Sequence, residues 1–192
     1  ERHEVSKFRN GLQATSQTMR DLFLALLFTG RRPGEVQAMR WVDLDLEGCQ
    51  WNIPDTKTGE PQAAVIPTAL IEILVQRQRR ARSPYVFSSG SKYGYVQEIK
   101  TAWKRVIAEA GLPDLQPRDL RRTVSSWAQE MKISTGVVQK MLGHADASTT
   151  LAHYTSIVDE VQRQALNQTV DSILAAGEGP ISQLAHKKIK RL

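Results

Sequence analysis

Apolar residues recur at helical spacing through most of this chain and at strand spacing in one short stretch. Leu22, Phe23, Leu26 and Leu27 line one face of residues 18–28, with Thr18 placed to cap the start and Gly30 to end the turn. Pro33 suits the first turn of a short helix directly afterwards, on which Val36 and Met39 share a face. Residues 49–53 and 63–67, with Trp51, Ile53, Val65 and Ile66, predict two short strands joined by a polar turn around Thr58 and Gly59. After Pro67, Leu70, Ile71, Leu74 and Val75 predict a helix that runs into Arg77, Arg79, Arg80 and Arg82. A further helix is expected over 95–110, carrying Val96, Ile99, Trp103 and Val106 on one side and ended by Gly111 and Pro113. Pro117 opens the next, to about 131, with Leu120, Val124 and Trp127 inward, and a shorter one near 134–142 ends at Gly143. Residues 157–174 form an amphipathic pattern through Ile157, Val161, Leu166, Val170 and Leu174. The sum is a mainly α fold with a small antiparallel β-sheet, an α+β architecture.

A chain of 192 residues is long enough for one well-filled core. We expect a single domain over 1–175, and a tail over 176–192 that turns Gly- and Pro-rich from Gly177 to Pro180 and ends in Lys187, Lys188, Lys190 and Arg191. Such a tail is expected to be flexible. No apolar run has the length of a membrane span and no signal-peptide pattern is present, which together predict a cytoplasmic protein. The chain begins at Glu1 without an initiator methionine, so a segment upstream is expected to be missing. One cysteine, Cys49, leaves no pair for a disulfide and no ligand set for zinc. Lys and Arg number 26 against 20 Asp and Glu, a formal charge of +6 that favours a polyanionic partner without identifying one.

Four segments place phosphate-friendly side chains at boundaries between predicted elements: TGRRPGE at 29–35, TKTG at 56–59, QPRDLRRT at 116–123 and LGHADASTTLAHY at 142–154. Each residue has an ordinary reading when taken alone. Arg32 and Glu35 can be a surface ion pair, Lys57 a solvated turn residue, Arg121 and Arg122 a solvated helix face, His144 a cation at a helix end, and Tyr154 a core tyrosine. His153 is read as structural, and the arginines from 77 to 82 as a solvated face, with contact to a DNA backbone as the alternative. Asp43 and Asp45 form an Asp-x-Asp of the kind that turns often carry without binding Mg²⁺. There is no P-loop and no carboxylate cluster of the two-metal type.

Taken together and in order, the four segments resemble the tyrosine recombinase (phage integrase) family over roughly residues 10–175. The family pattern is an arginine after a Thr-Gly helix end, a hairpin lysine, His-x-x-Arg, Gly-His, and a tyrosine about ten residues on. Position by position, the resemblance makes Arg32 the first arginine with Glu35 to hold it, Lys57 the hairpin lysine, Arg121 the second arginine, His144 the histidine and Tyr154 the nucleophile. Arg31 and Arg122, beside the matched arginines, are expected to contact DNA. Where the family has the first histidine of His-x-x-Arg, this chain has Arg118, which can donate to a phosphate but is a poor general base.

The resemblance implies the DNA breaking-rejoining catalytic fold and a site-specific recombinase, needing neither metal nor ATP, that joins DNA to Tyr154 through a 3′-phosphotyrosine during integration or excision. It implies double-stranded DNA as partner, a homo-tetramer assembled through the helix at 157–174, accessory DNA-bending proteins, no cofactor, and a bacterial, phage or mobile-element origin. The N-terminal DNA-clamp domain of the family has no counterpart in this chain. Two other readings stay open: a DNA-binding module of the same fold without catalysis, favoured by Arg118, and a type IB-like topoisomerase. The residue types suit the chemistry independently of the family. Attack on a phosphodiester gathers negative charge on the non-bridging oxygens, and planar guanidinium forks meet that charge two oxygens at a time.

Overall fold

The apolar run from Leu22 to Phe28 has no polar face, and the helix it forms is accordingly central. The computed structural model describes residues 2–54, 61–143 and 155–176, with the side chains of 2 and 155–160 excepted. In it Gln17–Thr29 is a helix (α2) in which every residue from Leu22 to Phe28 is buried. Ser16 caps it rather than Thr18, its hydroxyl accepting from the Met19 backbone N–H, and Gly30 ends it. Around α2 lie α1 (Arg2–Gly11), α3 (Pro33–Gln37), α4 (Thr68–Gln78), α5 (Lys100–Ala110), α6 (Pro117–Glu130), α7 (Thr135–Leu142) and α8 (Thr155–Ala176). Strands β1 (Leu44–Asp45), β2 (Gln50–Ile53) and β3 (Gln62–Val65) form an antiparallel sheet in that order, with Leu44 opposite Trp51 and Asn52 opposite Ala63. The mainly α fold with a small antiparallel sheet is as the sequence predicts. Among the described residues no helix is long and apolar enough to cross a membrane.

Several expectations are corrected. Helix α1 was not foreseen, although Val5, Phe8 and Leu12 carry its spacing; Phe8 packs on Trp103 with ring centroids 5.6 Å apart. Helix α5 starts at Lys100, not 95, because the preceding residues are extended: Val96 N–H bonds Phe87 O, and the Gln37 amide occupies the carbonyls of Val96 (3.0 Å) and Gln97 (2.8 Å). Carbonyls taken by a distant side chain do not start a helix. Asp45 serves its turn, accepting from Gly48 N–H at 2.8 Å. Residues 177–192, and so nearly all of the expected tail, lie outside the described residues.

The amphipathic helix α8 buries part of its apolar stripe within the chain itself. Ala165, Leu166, Val170 and Ile173 are buried in this chain's own core, with the aliphatic parts of Gln162 and Thr169 beside them. Polar bonds fasten the same helix to three other places: the Asn167 side chain accepts from Thr68 N–H at the start of α4 (3.0 Å), Arg163 donates to Gly48 O (3.2 Å), and Ser172 reaches the Met131 sulfur. Val161, one turn before Ala165 on the same stripe, is exposed, and the side chain of Ile157 lies outside the described residues.

Arg77 departs from the expected solvated run. Its Nη1 donates to Asp21 Oδ2 at 2.7 Å, Nη2 to Val86 O at 2.8 Å, and its guanidinium lies 5.1 Å from the centre of the Phe87 ring, while Arg79, Arg80 and Arg82 are exposed. Asp21, only 4% exposed, also accepts from Gln17. Burial raises the Asp21 carboxyl above its ordinary value although Arg77 and Gln17 pull it down. Desolvation dominates, so the pair holds α2, α4 and the 84–87 segment in register more than it adds net stability. Asp21→Ala leaves a buried guanidinium short of its partner and should cost about 3 kcal/mol in denaturant unfolding, whereas Asp21→Asn, which keeps an acceptor, should cost less than half as much.

Candidate active site

The Thr-Gly end of α2 is built to release two arginines in different directions. Thr29 Oγ1 donates to Ala25 O at 2.7 Å and accepts from the Arg31 backbone N–H at 3.2 Å. Gly30, at φ +60, closes the helix by bonding back to Leu26 O. A side chain there would be strained, and its Cβ would meet Leu142 Cδ2 at 2.9 Å and Val124 Cβ at 3.4 Å. The ends of α2 and α7 therefore approach each other against α6.

Arg32 stands at the start of α3, where Pro33 occupies the first turn. The Glu35 carboxylate accepts from both ends of the residue, from the Arg32 backbone N–H at 3.2 Å and from Arg32 Nη1 at 2.9 Å. Glu35 is nearly buried while Arg32 remains partly open to solvent. The acid thus aims the guanidinium rather than hiding it.

Arg121 reaches the same place from α6. Its Nη1 donates to two carbonyls, Gly30 O at 2.7 Å and Leu142 O at 2.6 Å, the closing carbonyls of α2 and α7. Both helices turn their negative dipole ends toward the guanidinium, which favours a cation there. Among the described residues Nε and Nη2 carry no bond, so only one edge of the fork is committed to them. Burial first, and then the positive charge of Arg32, lowers the Arg121 pKa, with Glu35 opposing. Arg32, Glu35 and Arg121, distant in sequence, are thereby in one electrostatic neighbourhood.

Arg31 does not contact a ligand at the surface as expected. It is 2% exposed, with Nη1 donating to Gln62 Oε1 on β3 at 3.0 Å. Burial pulls its pKa down to about 10, Arg121 and Arg32 add to the fall, and Glu35 opposes it; the group is still a cation at neutral pH. Its place in the site was invisible in the sequence, because the contact that buries it comes from a strand residue, Gln62, outside every motif.

The α6 capping turn orders the remaining arginines. Asp119 accepts from Gln116 N–H at 2.9 Å and from Arg122 Nη1 at 3.0 Å, so Arg122 is exposed but paired. Arg118 is exposed one turn before Arg121 on the same helix, within the spacing at which side chains share a face. Lys57, His144, His153 and Tyr154 lie outside the described residues. In sequence they flank described ones: Gly143 precedes His144, and Thr155 opens α8 directly after Tyr154. Among the described residues no cluster of His, Cys, Asp or Glu could hold a metal ion.

Gly143 closes α7 at φ +69, and any Cβ there would collide with Arg31 Nη1 and stand 2.7 Å from Gln62 Oε1. Gly143→Ala should therefore cost about 3 kcal/mol in unfolding, of which about 1 is left-handed backbone strain and the rest displacement of the Arg31 guanidinium. A loss under about 1 kcal/mol would show that the contact yields freely.

The profile of the phage integrase family matches residues 1–160. Prophage integrase IntF of Escherichia coli (strain K12) is 31% identical over 133 residues, 67% of this chain and 28% of that protein. Among solved structures, the integrase from mycobacterium phage Brujita superposes with a TM-score of 0.69 at 19% identity, covering 91% of this chain and 63% of that one. XerH site-specific recombinase, in a pre-cleavage complex with its difH substrate, gives 0.61 at 22% identity over 82% of this chain and 48% of that one. At these identities the two structures speak for the fold, that of the recombinase catalytic domain. The chain spans 28% to 54% of the length of the first curated relatives it matches.

Proposed function

Because this chain belongs to the phage integrase family, we propose that it is the catalytic part of a site-specific DNA recombinase that cleaves and rejoins double-stranded DNA through Tyr154. The observation that carries the reading is the pairing of Arg121, held by two helix-end carbonyls with one edge uncommitted among the described residues, with Arg32, held by Glu35 and open to solvent. Two guanidiniums fixed before the substrate arrives need no reorganisation when charge develops on a phosphate, and each is of the type whose loss in phosphoryl transfer costs on the order of 10³-fold.

In this reading the Tyr154 oxygen attacks the phosphorus and the bond to the 5′ oxygen breaks. Tyr154 passes its proton to solvent water as it attacks, and the departing 5′ oxygen takes one from Lys57. A 3′-phosphotyrosine and a free 5′-hydroxyl result. Attack by the 5′-hydroxyl of another strand reverses the steps and releases the tyrosine. The phosphotyrosine conserves the energy of the broken bond, so the cycle is balanced without ATP. His144 donates to a phosphate oxygen beside the arginines, and Arg118 and Arg122 contact the DNA backbone. Exchange between duplexes requires several protomers on the DNA, a homo-tetramer in this proposal, in which the exposed Val161 face of α8 is available for contact between protomers. Accessory DNA-bending proteins and a place in the bacterial cytoplasm belong to the same proposal.

Arg118 favours one second reading, a DNA-binding module of this fold that has lost strand cleavage. Nicked suicide duplexes of randomised sequence separate the two. On a denaturing gel the chain should give a shifted DNA–protein band, independent of divalent metal, that Tyr154→Phe abolishes; binding without any such band leaves the non-catalytic module. Sequencing the trapped DNA then gives the preferred site.

Binding itself should be strongly salt-dependent. With about six phosphates neutralised, log affinity should fall against log salt with a slope near −5 in a fluorescence titration. A flat response would remove DNA as the partner under either reading.

A further inference from the structure

Arg31 is a buried cation that neither reading so far employs. It is among the largest fully buried side chains, and its Nε has no hydrogen-bond partner among the described residues. Among the described residues the charges that act on it are those of Arg121, Arg32 and Glu35. A site of this kind is expensive: a methionine of similar length would fill the space without a desolvated charge. What the guanidinium does that an apolar side chain cannot is join two places. Its Nη1 holds Gln62 Oε1 at 3.0 Å on β3, five residues after Lys57 in the chain. The same nitrogen lies against the backbone of Gly143, where a Cβ would collide with Nη1, stand 2.7 Å from Gln62 Oε1 and 2.8 Å from Cζ, so that the arginine, the glutamine and the glycine meet at one point. Gly143 immediately precedes His144. The Arg31 backbone, in turn, is fixed to the end of α2 by Thr29.

We infer that Arg31 is a positioning residue, a buried strut from the end of α2 to the point where Gln62 on β3 meets Gly143 at the end of α7, next to the Leu142 carbonyl that holds Arg121. The inference rests on the recombinase reading. It needs no contact between Arg31 and DNA, because the side chain is covered. A displacement of about 1 Å in reacting groups can cost on the order of 10²-fold in rate while leaving the binding surface intact. The role therefore appears in the rate at saturation and not in affinity.

The test uses the nicked duplex recovered from wild-type trapping and measures, for each variant, DNA affinity, the single-turnover rate of covalent complex formation at saturating DNA, and the melting temperature. Arg31→Met should slow the saturated rate by about 10- to 100-fold, with affinity within about threefold of wild type and a melting temperature no lower. Gln62→Leu should slow it similarly, and the double variant should be no slower than Arg31→Met, since both remove one bond. Should Arg31→Met fail to fold, Gln62→Leu on its own decides, because Gln62 is only partly buried and touches the strut at one end. An unchanged rate overturns the inference. So does affinity falling as far as the rate, which would make Arg31 a DNA contact, or losses that multiply in the double variant. A wild-type chain that traps no DNA would instead sink the recombinase reading itself.

Discussion

One nitrogen of Arg121, bonded to Gly30 O and Leu142 O, ties the ends of two helices that have no direct reason to meet. The closing carbonyls of a helix need partners, and in a crowded interior water cannot supply them. Two helix ends that share one guanidinium must converge on it, and that convergence dictates the small residues around it. Gly30 and Gly143 both take left-handed backbone, and neither has room for a methyl group. The same bond determines where the chain goes next: from Gly30 into the Arg31–Arg32 pair, and from Leu142 toward His144. A residue argued to meet substrate is thus also the fold's own fastening at that point, and the two duties use different edges of its fork.

The balance of charge separates this region from the rest of the core. Asp21 and Arg77 pair one to one, with the neighbouring carbonyl of Val86 completing the set. Around Arg31, by contrast, Arg32 and Arg121 act on it against the one carboxylate of Glu35 among the described residues, and burial lowers the pKa of both Arg31 and Arg121. An excess of buried positive charge is a standing cost to the folded chain. It is relieved by an anion, and relieved most by one whose charge grows, as a phosphate's does while it is attacked. Stability forgone in the empty site and stabilisation of the loaded one are then the same electrostatic energy seen in two states.

How much of this the sequence discloses depends on whether the partner is local. The helices α2, α6 and α7 follow from apolar spacing and from Gly30, Pro117 and Gly143, and the Arg32–Glu35 relation from their separation along one turn. The order of the motifs identifies the arginines before any coordinates. What stays hidden depends on residues far apart in the chain: Gln37 halting the start of α5, Asp21 drawing Arg77 out of an apparently solvated run, Gln62 and Gly143 enclosing Arg31, and the core accepting part of the stripe of α8. Adjacency misleads most at Arg31 and Arg32. The two are chemically identical neighbours, yet one turns into the protein and the other out, because Thr29 and Gly30 set the backbone between them and only Arg32 has a carboxylate three residues ahead.

Arg118 marks the one place where the family pattern and the physical chemistry must be weighed against each other. A histidine there can exchange a proton near neutrality, and an arginine cannot. Yet a group at this position serves a phosphate equally well by donating hydrogen bonds, and for that an exposed arginine one turn from Arg121 is as well placed and more strongly charged. In the proposed reaction the substitution removes a proton acceptor and adds a positive charge, of the sign that favours a phenolate. The tyrosine's proton passes there to solvent water, a step that asks no base of position 118, and the arginine at that position serves the phosphate as a donor.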